Sequence, residues 1–169
     1  KSVNKSVLIW YSPQQMFDLV ADVEHYPEFL PWCDQAKVLE RHADGLTGEV
    51  GMKLGALHQS FTTRNTHIAE GEVRKLIMNL VKGPFSNLHG EWTFNPVGGG
   101  GAPGSVTACR VELKLNYGFS NFALAAVVGP VFEKIATSMV DAFVKRAEQV
   151  YGDALSLIHI SEPTRQAEI

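Results

Sequence analysis

The sequence predicts an α+β domain in which a curved antiparallel sheet of six to seven strands wraps around one long C-terminal helix. Hydrophobic residues recur with a period of two through most of residues 38–119, and with a helical period over residues 121–151. The strand candidates follow one another with short turns, which favours an antiparallel meander over a parallel βαβ sheet. The part of the predicted helix that follows Gly129-Pro130 has about 21 residues and would be roughly 30 Å long. A ten-residue strand spans about the same distance, so a twisted sheet can enclose this part of the helix.

The N-terminal segment predicts a strand followed by a capped helix. Hydrophobic residues alternate over residues 3–11, as in a strand with one buried side. Ser12 then supplies an N-cap hydroxyl, Pro13 occupies the first helical position, and Gln15 completes a capping box. We expect the helix to stop at residues 25–27, because a residue that precedes proline avoids the helical region.

The centre of the chain predicts half-buried antiparallel strands. Alternation is clearest from Val106 to Phe119, where hydrophobic side chains face away from charged and polar ones. Glycine-containing pairs mark the turns, and the glycine-rich stretch 98–104 predicts a loose hairpin loop. The alternating pattern begins at Val38, and three further strand candidates lie at about residues 57–68, 72–81 and 88–96.

Residues 121–151 predict the longest helix of the chain. Gly129-Pro130 should kink or interrupt it, because proline removes a backbone donor and clashes with the preceding turn. Charged residues occupy the opposite side of this helix from the hydrophobic ones. The predicted apolar face comprises Leu124, Val128, Phe132, Ile135, Met139, Phe143, Ala147 and Val150.

The composition is that of an ordinary globular protein without a strong charge. The formal net charge is −3, so the chain lacks the basic excess that drives non-specific nucleic-acid binding, and we expect no DNA partner. Cys33 and Cys109 lie far apart without metal-ligand spacing, which argues against a zinc site or a disulfide framework. We expect no signal peptide and no apolar run of about 20 residues that would span a bilayer, and therefore a cytoplasmic protein.

The last residues look foreign to the domain. LSLIHISEPTR, residues 155–165, resembles translated adaptor sequence from sequencing libraries. We therefore predict one domain at residues 1–152 and a non-native tail at residues 153–169. We expect the tail to contribute nothing to the function of the domain.

Four stretches of the chain are similar to one known family. They are YSPQQMFDLVADVEHYPEFLPWC (residues 11–33), SFTTRN (60–65), LVKGPFSNLHGEWTF (80–94) and residues 117–152, which contain FSN, GPVF and VKRAEQVYG. These motifs resemble the coenzyme Q-binding START-like family, whose bacterial members are also named after a ribosome association toxin. The resemblance covers essentially residues 3–152 and implies the helix-grip fold, in which the sheet grips the long helix.

The two names of this family imply different activities. The first implies a lipid chaperone that binds ubiquinone or a similar polyprenyl lipid between sheet and helix and supports respiratory electron transport, with peripheral contact at the inner membrane. The second implies a toxin that binds the large ribosomal subunit and blocks subunit association. Both names attach to the same motifs; we expect the first activity and keep the second as the alternative. Neither implies catalysis or a cofactor, since ubiquinone would be a bound ligand.

Apolar and aromatic side chains of the sheet and the helix form the predicted ligand site. A packed core explains the same pattern, and only a concave space between sheet and helix would favour a ligand. Residues 29–32 form either a lid or membrane-touching lip, opposed by residues 82–85, or a loop folded onto the core. An inward Arg64 or Asn65 could hydrogen-bond a quinone carbonyl, whereas an outward Arg64 would be solvated or paired with a neighbouring Glu. The predicted ligand-binding residues are Phe29, Leu30, Trp32, Phe61, Arg64, Phe85, Trp92, Tyr117, Phe119, Val128, Phe132, Ile135 and Met139.

The sequence carries no motif for catalysis or metal binding. The histidines show no HExxH spacing and the serines no GxSxG elbow, so we expect neither a metal site nor an enzyme. A cyclase or hydratase activity, our third hypothesis, would need an inward-facing acid–base pair. For the ribosome alternative, the predicted contact is the basic end of the long helix at Lys145 and Arg146.

Overall fold

The computed structural model describes residues 1–98 and 107–161, with side chains to residue 152 in the last helix. Seven strands, two α-helices and one 3₁₀ helix follow one another in this part of the chain. Their bounds are β1 (Ser2–Ile9), α1 (Pro13–Ala21), the 3₁₀ helix (Val23–Glu28), β2 (Cys33–His42), β3 (Gly45–Leu54), β4 (Leu57–Glu70), β5 (Val73–Lys82), β6 (Phe85–Pro96), β7 (Cys109–Phe119) and α2 (Phe122–Ser161).

The seven strands form one antiparallel sheet in the order β1-β7-β6-β5-β4-β3-β2. Strands β2 to β7 pair with their sequence neighbours, and β1 closes the order by pairing with β7, from Ser2 opposite Asn116 to Ile9 opposite Cys109. The sheet curves around α2, so the predicted α+β helix-grip architecture is confirmed. The predicted hairpin loop at residues 98–104 lies outside the described residues, apart from Gly98.

The predicted start of α1 is confirmed by its cap. The Ser12 hydroxyl accepts a hydrogen bond from the Gln15 backbone N–H at 3.0 Å, and the Ser12 N–H donates to Gln15 Oε1 at 2.8 Å. The predicted stop at residues 25–27 is wrong, because α1 ends at Ala21 and the chain then continues as the 3₁₀ helix with Pro27 inside it. A short 3₁₀ turn tolerates the proline because it needs few backbone donors.

Helix α2 runs past Pro130 without interruption, contrary to prediction. The residue with non-helical backbone angles inside it is Tyr151, with φ −116° and ψ 17°. Pro130 is exposed, so its ring lies on the side of the helix that faces away from the core. Val150 was predicted on the buried face but is 48% exposed. The buried positions of α2 are Val128, Phe132, Ile135, Ala136, Val140, Phe143 and Ala147.

By length and composition, α2 also resembles a membrane span. An 18-residue stretch within Phe122–Gly152 reaches a mean hydropathy of 1.5, so our expectation that no segment is long and apolar enough was wrong for this helix. The reason is that no charged residue lies between Phe122 and Glu133, which makes exposed as well as buried positions apolar. The inner face of the same helix packs in the hydrophobic core through residues such as Val128 and Phe143, as a core helix does.

Gly45 is a position where the fold requires glycine. Its φ is +153°, and a Cβ there would lie 1.9 Å from the backbone oxygen of Asn65 on the neighbouring strand. We expect Gly45→Ala to lower the free energy of unfolding by at least about 2 kcal/mol, because the backbone would have to move. Urea unfolding followed by tryptophan fluorescence measures this loss.

Gly129→Ala is the matched control. A Cβ at Gly129 meets nothing within 4 Å, and alanine is favoured over glycine inside a helix by about 1 kcal/mol. This variant should therefore be as stable as the original protein or more so. Equal losses in the two variants would contradict the steric argument.

Candidate functional site

An apolar cavity lies between the inner face of the sheet and α2. Strands β3 to β7 form one side of it, α2 forms the other, and Val23, Tyr26 and Trp32 close it from the segment that precedes β2. Its volume is about 80 Å³, which is smaller than the roughly 150 Å³ of a cavity known to bind benzene. The closed cavity therefore has room for a small group but not for a polyprenyl chain.

Some of the predicted ligand-binding residues meet at this cavity. They come from four separate parts of the chain, which the fold brings to one place. Their role in binding a ligand remains a prediction. The predicted residues that line the cavity are Trp32, Phe61, Trp92, Phe132, Ile135 and Met139.

A second group of predicted residues packs beside the cavity instead of lining it. Phe85 stacks on Phe119 at 5.2 Å between ring centroids, and Tyr117 meets Phe132 at 4.7 Å. Val128 belongs to the same hydrophobic cluster. Phe85 is buried, so the expectation that residues 82–85 present it as an exposed lip is wrong. Its side chain faces the core because it begins β6 on the inner side of the sheet.

The segment at residues 29–32 is folded onto the core, which is one of the two alternatives that the sequence left open. Leu30 is fully buried, and the Phe29 ring packs 5.2 Å from the ring of Phe143 on α2. Trp32 lines the cavity. The stiff, apolar stretch therefore packs over the cavity as part of the fold, with Leu30 buried and the Phe29 and Trp32 rings half-buried.

Residues 28–32, which we call the cover, are held in place by Arg146 of α2. Its Nη2 lies 3.2 Å from Glu28 Oε1, and its guanidinium sits 4.8 Å from the centre of the Phe29 ring. The side chain of Arg146 is only 18% exposed. Arg146 is thus occupied within the fold, and only Lys145 of the predicted ribosome contact remains exposed.

Arg64 faces away from the cavity, which corrects its place among the predicted ligand residues. Its guanidinium donates to Asp44 Oδ1 at 2.6 Å and to the backbone oxygen of Asn65 at 2.7 Å. The Arg64 side chain holds the pKa of the Asp44 carboxyl below its usual value, through the hydrogen bond and the positive charge. The outward alternative is therefore the observed one, with Asp44 as the partner where a Glu was expected.

Thr63 was missed by the sequence analysis, and Asn65, considered there as an inward hydrogen-bond donor, was left out of the predicted ligand-binding residues. Thr63 and Asn65 are buried on the inner face of β4, and the Thr63 hydroxyl donates to Asn65 Oδ1 at 2.7 Å. Alternation from Phe61 could have placed them, because residues two and four positions along a strand share its face.

The cavity contains no pair of groups for acid–base chemistry. Tyr26 is the ionisable residue in its lining, burial raises the pKa of its hydroxyl, and that hydroxyl donates to the backbone oxygen of Val20. Over residues 1–98 and 107–152, no group of three His, Cys, Asp or Glu side chains could hold a metal ion. The arrangement is suited to an uncharged, largely apolar ligand.

The family model for polyketide cyclase/dehydrase and lipid transport proteins matches residues 9–144. The chain belongs to this family. The match runs from the last residue of β1 through β2 to β7 and into α2, so it covers the strands β3 to β7 and the part of α2 that line the cavity.

Relatives of this chain carry both of the names that the sequence suggested. The ribosome association toxin RatA of Pseudomonas aeruginosa is 40% identical over 89% of this chain and 97% of its own length. The mitochondrial coenzyme Q-binding protein COQ10 homolog B of Xenopus laevis is 26% identical over 88% of this chain and 59% of its own length. The predicted START-like relationship is therefore confirmed.

Solved structures agree on the fold of this family member. A START superfamily protein from Mycobacterium smegmatis superposes with a TM-score of 0.70 at 20% sequence identity, covering 88% of this chain and 98% of the other. At that identity the likeness establishes the helix-grip fold alone.

The contact of Arg146 with the cover should contribute to stability. We expect Arg146→Ala to lower the free energy of unfolding by about 1–2 kcal/mol, because it removes the cation–π contact and the packing of the arginine stem. Lys145→Ala is the control, since Lys145 is exposed and should change stability by less than about 0.5 kcal/mol. Urea unfolding measures the free energy of unfolding of both variants. Equal stabilities of Arg146→Ala and Lys145→Ala would contradict the role given to Arg146.

Proposed function

We propose that this protein associates with ribosomes, by binding the large subunit and blocking subunit association. The observation that supports this proposal is the 40% identity to a ribosome association toxin over nearly the full length of both chains. The coenzyme Q-binding relative is more distant, at 26% identity. This order reverses the one that we expected from the sequence, where the ribosome activity was the alternative.

A ribosomal contact needs exposed cations, since affinity for RNA comes largely from phosphates. Lys53 at the end of β3 and Lys82 at the end of β5 are exposed, form no ion pair among the described residues, and face uncharged or basic register partners. Lys114 on β7 lies opposite Glu91, which offsets its charge. We therefore propose Lys53 and Lys82 as contact residues in place of Arg146.

The proposed activity is tested with separated ribosomal subunits. Subunits are mixed with increasing amounts of the protein, magnesium is restored, and the particles are separated on a sucrose gradient. We expect the peak of assembled ribosomes to fall and the protein to migrate with the large subunit. An unchanged peak at excess protein would exclude the proposal.

Charge-reversal variants locate the contact. The double variant Lys53→Glu/Lys82→Glu should lose most of its effect on subunit association, because it places negative charge opposite RNA phosphates. The control variant Arg110→Glu/Lys114→Glu makes the same change of charge on the outer face of β7 and should keep most of the effect. If both double variants lose their effect on subunit association equally, the net charge of the protein matters, and not the surface around Lys53 and Lys82.

A second candidate function is the binding of ubiquinone or a similar polyprenyl lipid, and the apolar cavity is the observation that favours it. We propose that the lipid enters when the cover moves, because the closed volume of about 80 Å³ is far below the roughly 300–1,000 Å³ of small-molecule sites. Met78 and Met139 line the cavity, and methionines repack easily. Support of respiration, and contact with the inner membrane through the exposed residues Phe122 and Val127 of α2, belong to this candidate.

We propose that neither function involves catalysis or a cofactor. The family contains proteins described as cyclases, so an enzyme was our third hypothesis. That hypothesis needs an acid and a base that face each other across the cavity. The lining offers only the Tyr26 hydroxyl, whose proton is engaged with the backbone of Val20.

Filling the cavity tests the lipid candidate. Ala136 is fully buried in the cavity wall, so Ala136→Leu should fill much of the space and reduce ubiquinone binding at least tenfold, at a stability cost of about 1–3 kcal/mol. Ala126→Leu makes the same change on the exposed side of α2 and should bind normally. Ubiquinone extracted with the purified proteins is quantified by mass spectrometry. Absence of ubiquinone from the original protein, before and after incubation with it, would remove this candidate.

A further inference from the structure

One polar pair interrupts the apolar lining of the cavity. Thr63 and Asn65 are 5% and 4% exposed, and the Thr63 hydroxyl donates to Asn65 Oδ1 at 2.7 Å. With the amide in this orientation, Asn65 Nδ2 makes no hydrogen bond to any other described residue. Two N–H donors therefore remain at the wall of an otherwise apolar space.

The position of Asn65 is fixed from the opposite side of the sheet. Its backbone oxygen accepts a hydrogen bond from Arg64 Nη1 at 2.7 Å, and Arg64 is tied in turn to Asp44 at 2.6 Å. Gly45, which can carry no side chain because the same oxygen occupies that space, packs directly against it. The amide is thus held before any ligand arrives, as is usual for residues that orient a ligand.

We infer that Asn65 orients the ligand of this cavity by donating a hydrogen bond to a carbonyl oxygen on an uncharged, apolar ring. The inference rests on the second candidate function, in which the cavity binds a lipid. An amide N–H at the wall of an apolar cavity has few partners there, and a carbonyl oxygen would supply one. Because no Lys, Arg or His lines the cavity, an anionic ligand would find no counter-charge there.

Two ring compounds of nearly equal shape test the inference. Both are larger than the closed cavity and, like the lipid of the second candidate function, would enter when the cover moves. Cyclohexanone carries the carbonyl oxygen, and methylenecyclohexane has a carbon in its place. Their affinities for the original protein and for Asn65→Leu are measured by calorimetry, and the ratio of the two affinities cancels their different hydration. We expect Asn65→Leu to weaken cyclohexanone about tenfold relative to methylenecyclohexane, the usual effect of one hydrogen bond.

An unchanged ratio in Asn65→Leu would overturn the role of Asn65 while leaving a cavity that binds apolar ligands. Binding of neither ring would also overturn it, whereas lipid carriage is judged separately by the ubiquinone extraction. If Asn65→Leu does not fold, the original protein decides: cyclohexanone, but not methylenecyclohexane, should shift the side-chain amide resonances of Asn65 in a ¹⁵N NMR spectrum.

Discussion

The packing of α2 against the inner face of the sheet is the interaction on which the rest of the structure depends. Without this helix, a row of aromatic and aliphatic side chains on β6 and β7 would face water. Burying each of these large side chains contributes about 1.5–3 kcal/mol. The helix has a straight inner face while the sheet curves around it, so their surfaces do not fit perfectly, and the cavity lies where they part.

The cover over this cavity joins two parts of the sequence that are far apart. Glu28 and Phe29 precede β2, and Arg146 lies near the end of α2, 118 residues after Glu28. The guanidinium bridges the carboxylate and the aromatic ring, so it joins the two segments with both charge and packing. This explains why so much stiff, apolar sequence occupies a connecting segment: the prolines limit its freedom, and its aromatic rings finish the core.

The fold could be predicted from the sequence because its signals are local. The Ser12 cap and the alternation along β7 each depend on a few neighbouring residues, and both were predicted correctly. The 3₁₀ helix was missed because it depends on a distant partner: the Tyr26 hydroxyl bonds the backbone of Val20, and its ring packs on Phe143. Contacts of this kind leave no periodic pattern in the sequence.

The site was predicted less completely than the fold, for a reason that Arg64 and Asn65 illustrate. They are adjacent on β4, yet one faces solvent and the other the cavity. A shift of one residue exchanges the two sides of a strand, so the assignment depends on knowing which neighbour, here Phe61, points inward. Large aromatic residues were placed correctly near the helix, but whether each lines a cavity or packs beside it depends on gaps of a few ångströms between elements.

The two proposed functions meet at one hydrogen bond. Trp32 lines the cavity, and its backbone oxygen accepts a hydrogen bond at 2.8 Å from the N–H of Lys53, one of the two proposed ribosome contacts. In the lipid candidate proposed above, Trp32 would be among the residues that move with the cover, and this hydrogen bond joins its backbone to that of Lys53. If the ligand changes the affinity for the ribosome, the ribosome changes the affinity for the ligand by the same factor. The two names carried by the relatives of this protein would then describe two linked binding equilibria of one fold.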